Sequence, residues 1–411
     1  MALSDTFKGW TSAQKHVVAA SYLGWTLDAF DFFLMVFVIK DVAKSFGAGK
    51  EDIAWALTLT LALRPVGAFV FGRLADRFGR RPVLMADVAT YSLLAMSTAF
   101  APNLIAFLVI RALFGIAMGG EWGIGASLTM ETVRPEARGF VSGLLQSGYP
   151  TGYLLASVLY RTSYEHLGVW TGFAPWRAMF LVGVLPSLLI LYMRRHVPES
   201  PGWSSGDAKT GTVFNVLRKH WALALYAIVL MTAFNFFSHG TQDIYPTFLQ
   251  VQHKFDVHIS GNIAIVYNIG AILGGWTFGI WSQSFGRRRT IIVAALLSIP
   301  VAYFWAYSHT AAMLALGAFL MQFFVQGAWG VIPVHLNELS PPDARGTFPG
   351  TVYQLGNFIA SYNAVLQTKI AVKSGENYSF ALASVAIVAA VVIALLTALG
   401  REARDADLNT G

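Results

Sequence analysis

Long apolar runs separated by short polar breaks dominate the chain, and twelve of them can be counted, at 16–39, 52–74, 82–101, 103–127, 138–160, 175–194, 221–249, 259–282, 289–308, 311–334, 345–368 and 378–400. Residues 378–400 carry no charge, and 53–71 is broken only by Arg64, Pro65 and small polar residues. Runs of this length meet the requirement of about 20 residues for a helix to cross hydrocarbon. The pattern predicts an all-α integral membrane protein of twelve transmembrane helices, arranged as two six-helix bundles. The long polar stretch at 195–220, with Pro198, Pro201, Gly202, Ser204, Ser205 and Gly206, reads as a linker. It divides the chain into 1–194 and 221–411.

An internal repeat agrees with this division. At an offset of 207, Gly72, Gly79, Arg80 and Arg81 fall on Gly279, Gly286, Arg287 and Arg288, while Glu131, Ala137, Arg138 and Gly139 fall on Glu338, Ala344, Arg345 and Gly346. Two motifs sharing one offset predict parallel duplicated halves with a solute site between them near the bilayer midplane.

Composition removes other classes. Hydrophobic residues make up 55% and charged residues 12%, too little polar surface for a soluble domain of this size. The net charge of +7 is sorted by loop rather than gathered into a nucleic-acid patch. With a cytoplasmic amino terminus, 19 of the 29 Lys and Arg fall on the cytoplasmic side, and Arg64 and Arg111 lie inside spans. This is a positive-inside distribution, which predicts a multi-pass protein of the cell (inner) membrane with both termini cytoplasmic. Residues 1–16 are polar and mixed, so the first helix itself is expected to act as the insertion signal. The chain has no cysteine, which excludes disulfides and thiolate chemistry. Neither a zinc-binding His/Glu spacing nor a nucleophile elbow is present, so an enzyme is not expected, and no cofactor or metal.

Charges inside spans are costly and persist only with a partner, a cavity or a task. Asp28 and Asp31 lie one turn apart in the first span, Arg64 about 16 Å into the second, and Glu121 deep in the fourth. The three acids are either proton carriers or structural partners of an arginine. The seventh span holds the densest polar patch, in which Asn235, Ser238, His239 and Gln242 share one helical face, Asp243 sits at its edge and Thr241 points away. Gly240 and Pro246 are expected to loosen the helix there.

The loop Gly72-Arg-Leu-Ala-Asp76-Arg77-Phe-Gly79-Arg80-Arg81 resembles the signature of the major facilitator superfamily. Asp76 can pair with an arginine or cap a neighbouring helix in one conformation only; Gln283 replaces it in the second copy. Glu131 and Glu338, each seven residues before an arginine, Arg138 and Arg345, also match the superfamily pattern and read with Asp76 and Arg80 as partly exposed gate salt bridges.

The pattern Asn-x-x-Ser-His-x-Thr-Gln-Asp-x-x-x-Thr at 235–247 resembles the signature of the sialate/lactate transporter family, whose members include fungal proton-coupled lactate and pyruvate permeases. The first-span Asp28-Ala-Phe-Asp31 and the fourth-span Gly119-Gly120-Glu121-Trp122 are similar to bacterial sialic acid permeases. The resemblance implies a substrate path along Asn235, His239, Gln242 and Asp243, carboxylate recognition by Arg64, and specificity set by Gln354 and Asn357. Ser238 and Tyr149 complete the expected substrate-binding set. His239 and Asp243, with Asp28, Asp31 and Glu121, are the expected proton carriers. The chain is therefore expected to carry a small carboxylate anion with protons across the lipid bilayer as a monomer, with no nucleic-acid partner. A sialic acid or aromatic acid is the alternative cargo.

Overall fold

The computed structural model describes residues 8–204, 213–404 and 406–408. Nearly all of them are helical, and among them nine helices are long and apolar enough to cross a membrane. The third, fifth and eleventh crossings are the more polar or broken ones: Arg80–Thr98, Arg138–Gln146 continued by Gly148–Thr171, and Phe348–Ala360 continued by Asn363–Lys373.

Side-chain caps set several helix starts. Thr11 forms a capping box with Gln14 ahead of the first helix, Ser12–Phe46, and Asn103 and Asp256 accept the first free amides of the fourth and eighth. The first helix overruns its expected span at both ends. The seventh differs most, because helix Val213–Gln242 breaks at Asp243 and Ile244, resumes over Tyr245–Thr247 and widens into a π turn at Phe248–Gln252. The break follows Gly240 and precedes Pro246, which has no N–H to donate to the Gln242 carbonyl four residues back and whose ring crowds that carbonyl. Helix also fills parts of the expected linker, at Pro201–Ser204 and from Val213 onward, with a kink at His220; residues 205–212 of that linker lie outside the described residues.

The repeat is visible in the packing. The second helix packs on the fourth and the eighth on the tenth. In both pairs a glycine lets backbones meet: Gly67 against the Ile116 carbonyl, and its equivalent Gly274 against that of Phe323. Between the two sets of six, the second helix packs on the eleventh and the fifth on the eighth, again equivalent pairs. Gly79 and Gly286 take φ of +103° and +97°, a backbone that only glycine adopts without strain, and so make the same tight turn in each half. Leu188, Val158, Leu395 and Leu399 are large apolar side chains left exposed on the helices.

Candidate functional site

The seventh-span patch divides into two groups. His239 bonds Asp243 through Nδ1 (3.1 Å) and the Asn357 Oδ1 of the eleventh span through Nε2 (2.9 Å), and Asn357 Nδ2 donates to Gln354 Oε1 (3.4 Å). The sequence-predicted residues of the seventh and eleventh spans therefore meet. Ser238 and Gln242 turn instead toward the tenth span, where Gln242 donates to Gln322 (2.9 Å) and Gln326 donates to the Ser238 hydroxyl (3.2 Å). Thr241, expected to point away, accepts from Gln322 (2.9 Å). Asn235 bends back to the Met231 carbonyl (2.8 Å) and is buried, so it braces its own helix. Gln322 and Gln326, one turn apart, were not singled out from the sequence, although their spacing puts both amides on one helical face.

Arg64 is 3% exposed, yet among the described residues it has no carboxylate at ion-pair distance. Its guanidinium touches the Met118 sulfur (3.3 Å) and stands 5.2 Å from the Phe32 ring centroid. Its charge reaches Asp28 and Glu121 in its own half and His239 and Tyr353 in the other. Tyr149 stacks on Trp25 at 5.9 Å and feels the charges of both Arg64 and Asp243, so it too lies between the halves. Trp122 meets Tyr353 at 4.6 Å. The side chains of His239 and Asp243 are 26% and 34% exposed, which leaves this region accessible.

The face carrying the basic loops is closed by two equivalent latches. In the first, Asp76 accepts from the Gly346 amide (2.7 Å), the Thr347 amide (3.1 Å) and the Thr347 hydroxyl (2.5 Å), capping the eleventh helix of the opposite half. In the second, Gln283 accepts from the Gly139 amide (3.2 Å) at the start of the fifth helix. A Cβ at Gly72 would meet the Gly346 carbonyl at 2.8 Å, and one at Gly279 the Gly139 carbonyl at 2.6 Å, so glycine is required where the halves touch.

The gate ion pairs differ from expectation. Glu131 pairs with Arg80 (3.2 Å), which also holds Asp76 (3.2 Å), and Glu338 pairs with Arg287 through two bonds of 3.0 Å. Each pair lies within one half, and the side chains are buried rather than partly exposed. Arg138 and Arg345 grip the carboxy-terminal tail: Arg138 donates to the Ala406 carbonyl (2.7 Å), and Arg345 to those of Leu408 (2.7 Å) and Asp407 (3.0 Å). Leu408 is 1% exposed, so the tail is wedged between the halves.

Comparison with known proteins fits this architecture. The chain is 29% identical over 376 residues to a carboxylic acid transporter protein homolog of Saccharomyces cerevisiae, across 85% of this chain but only 60% of the yeast protein. It is 27% identical to the sialic acid transporter NanX of Escherichia coli, over 92% of this chain and 93% of that one. It is 25% identical to the niacin transporter NiaP of Acinetobacter baylyi, over 94% of each. A crystal structure of a double-tryptophan mutant of XylE superposes with a TM-score of 0.76 at 18% identity, over 97% of this chain and 98% of that one. Residues 220–400 match the family described as Sugar (and other) transporter. Residues 21–256 match the family described as Major Facilitator Superfamily, and with duplicated helices, paired latches and a polar site between the halves, the chain belongs to that superfamily.

Proposed function

We propose that this protein is a proton-coupled symporter of small monocarboxylates such as lactate and pyruvate, working by alternating access between halves 1–194 and 221–411 in the cell membrane. The observation that carries the reading is Arg64, a buried guanidinium without a carboxylate partner among the described residues, whose charge reaches across to His239. A buried cation without its anion is costly, and a carboxylate that docks there gains a bidentate, charge-assisted contact. Gln354, Asn357 and the Ser238, Gln242, Gln322 and Gln326 group supply hydrogen bonds for a 2-hydroxyl or 2-keto oxygen. A proton on the His239–Asp243 pair or on an acid of the first and fourth spans keeps the loaded site near neutral, so the halves can rock over it.

The Lys and Arg distribution supports a cytoplasmic basic face, and on that reading the latches form the inner gate and His239 and Asp243 are reached from outside. The names of the relatives support an organic acid as cargo. Those of NanX and NiaP favour a second reading, a sialic or aromatic acid, for which Tyr149 and Tyr353 offer ring surfaces. Uptake of labelled lactate, pyruvate, sialate and nicotinate into proteoliposomes tests both. Lactate or pyruvate uptake that rises with outside acid and collapses with a protonophore is expected; sodium-driven or gradient-independent uptake contradicts the coupling.

A further inference from the structure

Past the last crossing, Tyr378–Leu399, the chain folds back beneath the basic face. Arg404 donates to the Ser284 carbonyl (3.1 Å), beside the latch residue Gln283. The Ala406 carbonyl then accepts from Arg138 (2.7 Å), and those of Asp407 (3.0 Å) and Leu408 (2.7 Å) accept from Arg345. Arg138 and Arg345 are equivalent at the 207-residue offset, and each follows a short 3-10 turn at the start of a helix in its own half. Arg138 also holds the Met130 carbonyl of its half (3.0 Å). Three consecutive tail residues are therefore gripped by one arginine from each half.

The Leu408 side chain completes the contact. It is buried in an apolar cluster that contains Met130 and Val133 of the amino-terminal half together with Ala344 and Phe348 of the carboxy-terminal one. The linker lies against the same residue: a Cβ at Gly202 would meet the Leu408 carbonyl at 2.7 Å, and the neighbouring Trp203 indole donates to the Asp76 carbonyl (3.1 Å). The tail thus sits beside the first latch, where the halves meet.

Reach decides what happens when that face opens. Ala406 to Leu408 spans at most about 7 Å of extended chain. Two arginines in different halves can both hold so short a segment only while the halves are closed together. Separation strips it from one arginine and takes Leu408 out of its cluster. Because the arginines hold backbone carbonyls, which any residue supplies, the apolar side chain of Leu408 is the selective element. Burial of a leucine is worth about 10- to 100-fold in an equilibrium.

We propose that Ala406–Leu408 is an internal strap that holds the basic face closed and must leave before that face opens, so that the tail acts as a brake on exposure of the site to that side. The opening concerned is the one that alternating access, proposed above, requires; the cargo does not enter.

The chain contains no cysteine, so a single introduced thiol reports alone. Ser127 is buried and donates to the Arg345 carbonyl across the interface (2.8 Å), so Ser127→Cys marks the closed face. Ser298→Cys, buried inside the carboxy-terminal half, reports loosening of the fold. Asp243→Cys lies in the accessible site region. Alkylation of each by a water-soluble maleimide is followed in purified protein with the parent tail, Leu408→Asp, Leu408→Met or a deletion of residues 405–411. Leu408→Asp and the deletion are expected to speed labelling at Ser127→Cys at least tenfold, to leave Ser298→Cys within twofold and to slow Asp243→Cys. Leu408→Met keeps an apolar side chain of similar volume and is expected to match the parent. Unchanged labelling at Ser127→Cys in both Leu408→Asp and the deletion would overturn the strap, since the latches alone would then close the face. Equal acceleration at Ser127→Cys and Ser298→Cys would also overturn it, because the tail would then support the fold at large. Faster labelling at Ser127→Cys without slowing at Asp243→Cys would uphold the strap and refute alternating access, because both sides would be open at once.

Discussion

At positions 207 residues apart the two halves carry opposite chemistry. Asp28 corresponds to Asn235, Asp31 to Ser238, Arg64 to Ala271, Arg111 to Ala318 and Glu121 to Ala328. The amino-terminal interior is ionisable and poorly hydrogen-bonded; the carboxy-terminal one is made of amides, a hydroxyl and one His–Asp pair that bond to each other. Both reach the same helix packing, so the fold does not require the charges. Their cost in a membrane interior has to be offset by a task, and under the proposed function that task is binding the anion and sharing the proton with the His239–Asp243 pair, while the other half supplies most of the neutral hydrogen-bonding groups. The latches repeat the contrast on a smaller scale: Asp76 and Gln283 both accept from the glycine amide that starts a helix across the interface, but only Asp76 adds charge to the helix dipole.

The largest effect is expected where the two halves are most alike. Arg80→Ala removes the cation paired with two buried carboxylates, Asp76 and Glu131, whereas Arg287→Ala removes that of Glu338 alone. Breaking a buried pair costs roughly 3–5 kcal/mol, so both variants should unfold at lower temperature in detergent, Arg80→Ala by the wider margin. Equal midpoints would mean that Asp76 gains nothing from Arg80. A smaller effect is expected from making the latches alike. Asp76→Asn keeps an acceptor for Gly346 but loses the charge, worth about 1 kcal/mol, and should raise hydrogen exchange at residues 345–350 about fivefold. Gln283→Ala removes a neutral bond and should change exchange at residues 138–143 less. The reverse order would remove the role given to charge.

Much of this was legible in the sequence. Hydrophobic run length gave the crossings, since the bilayer sets that length physically, and the shared offset gave the repeat. Asp28, Asp31, Arg64 and Glu121 stood out because a charge inside an apolar run is conspicuous. Asp87 carries the same signal within 82–101 and is as deeply buried as they are. Gln322 and Gln326 are neutral, so their role depends on what faces them. Within the expected gate set Asp76 and Arg80 do pair, but the turns at Gly79 and Gly286 bring Arg80 and Arg287, rather than Arg138 and Arg345, to Glu131 and Glu338. The tail contacts use backbone carbonyls, which no side-chain pattern announces.

Arg64 offers the most direct test, because the account makes it the fixed positive charge that a substrate carboxylate fills. Truncating one partner of a buried charge pair costs roughly 2–5 kcal/mol, equivalent to a loss of affinity of about 30-fold to several thousand-fold. Calorimetric titration of lactate against folded Arg64→Ala should therefore show no measurable binding. Arg64→Lys, which keeps the charge but not the fork, should bind weakly and discriminate poorly between acids. Affinity within threefold of the parent for Arg64→Ala would contradict the assignment and leave Arg64 as a support for the helices around it.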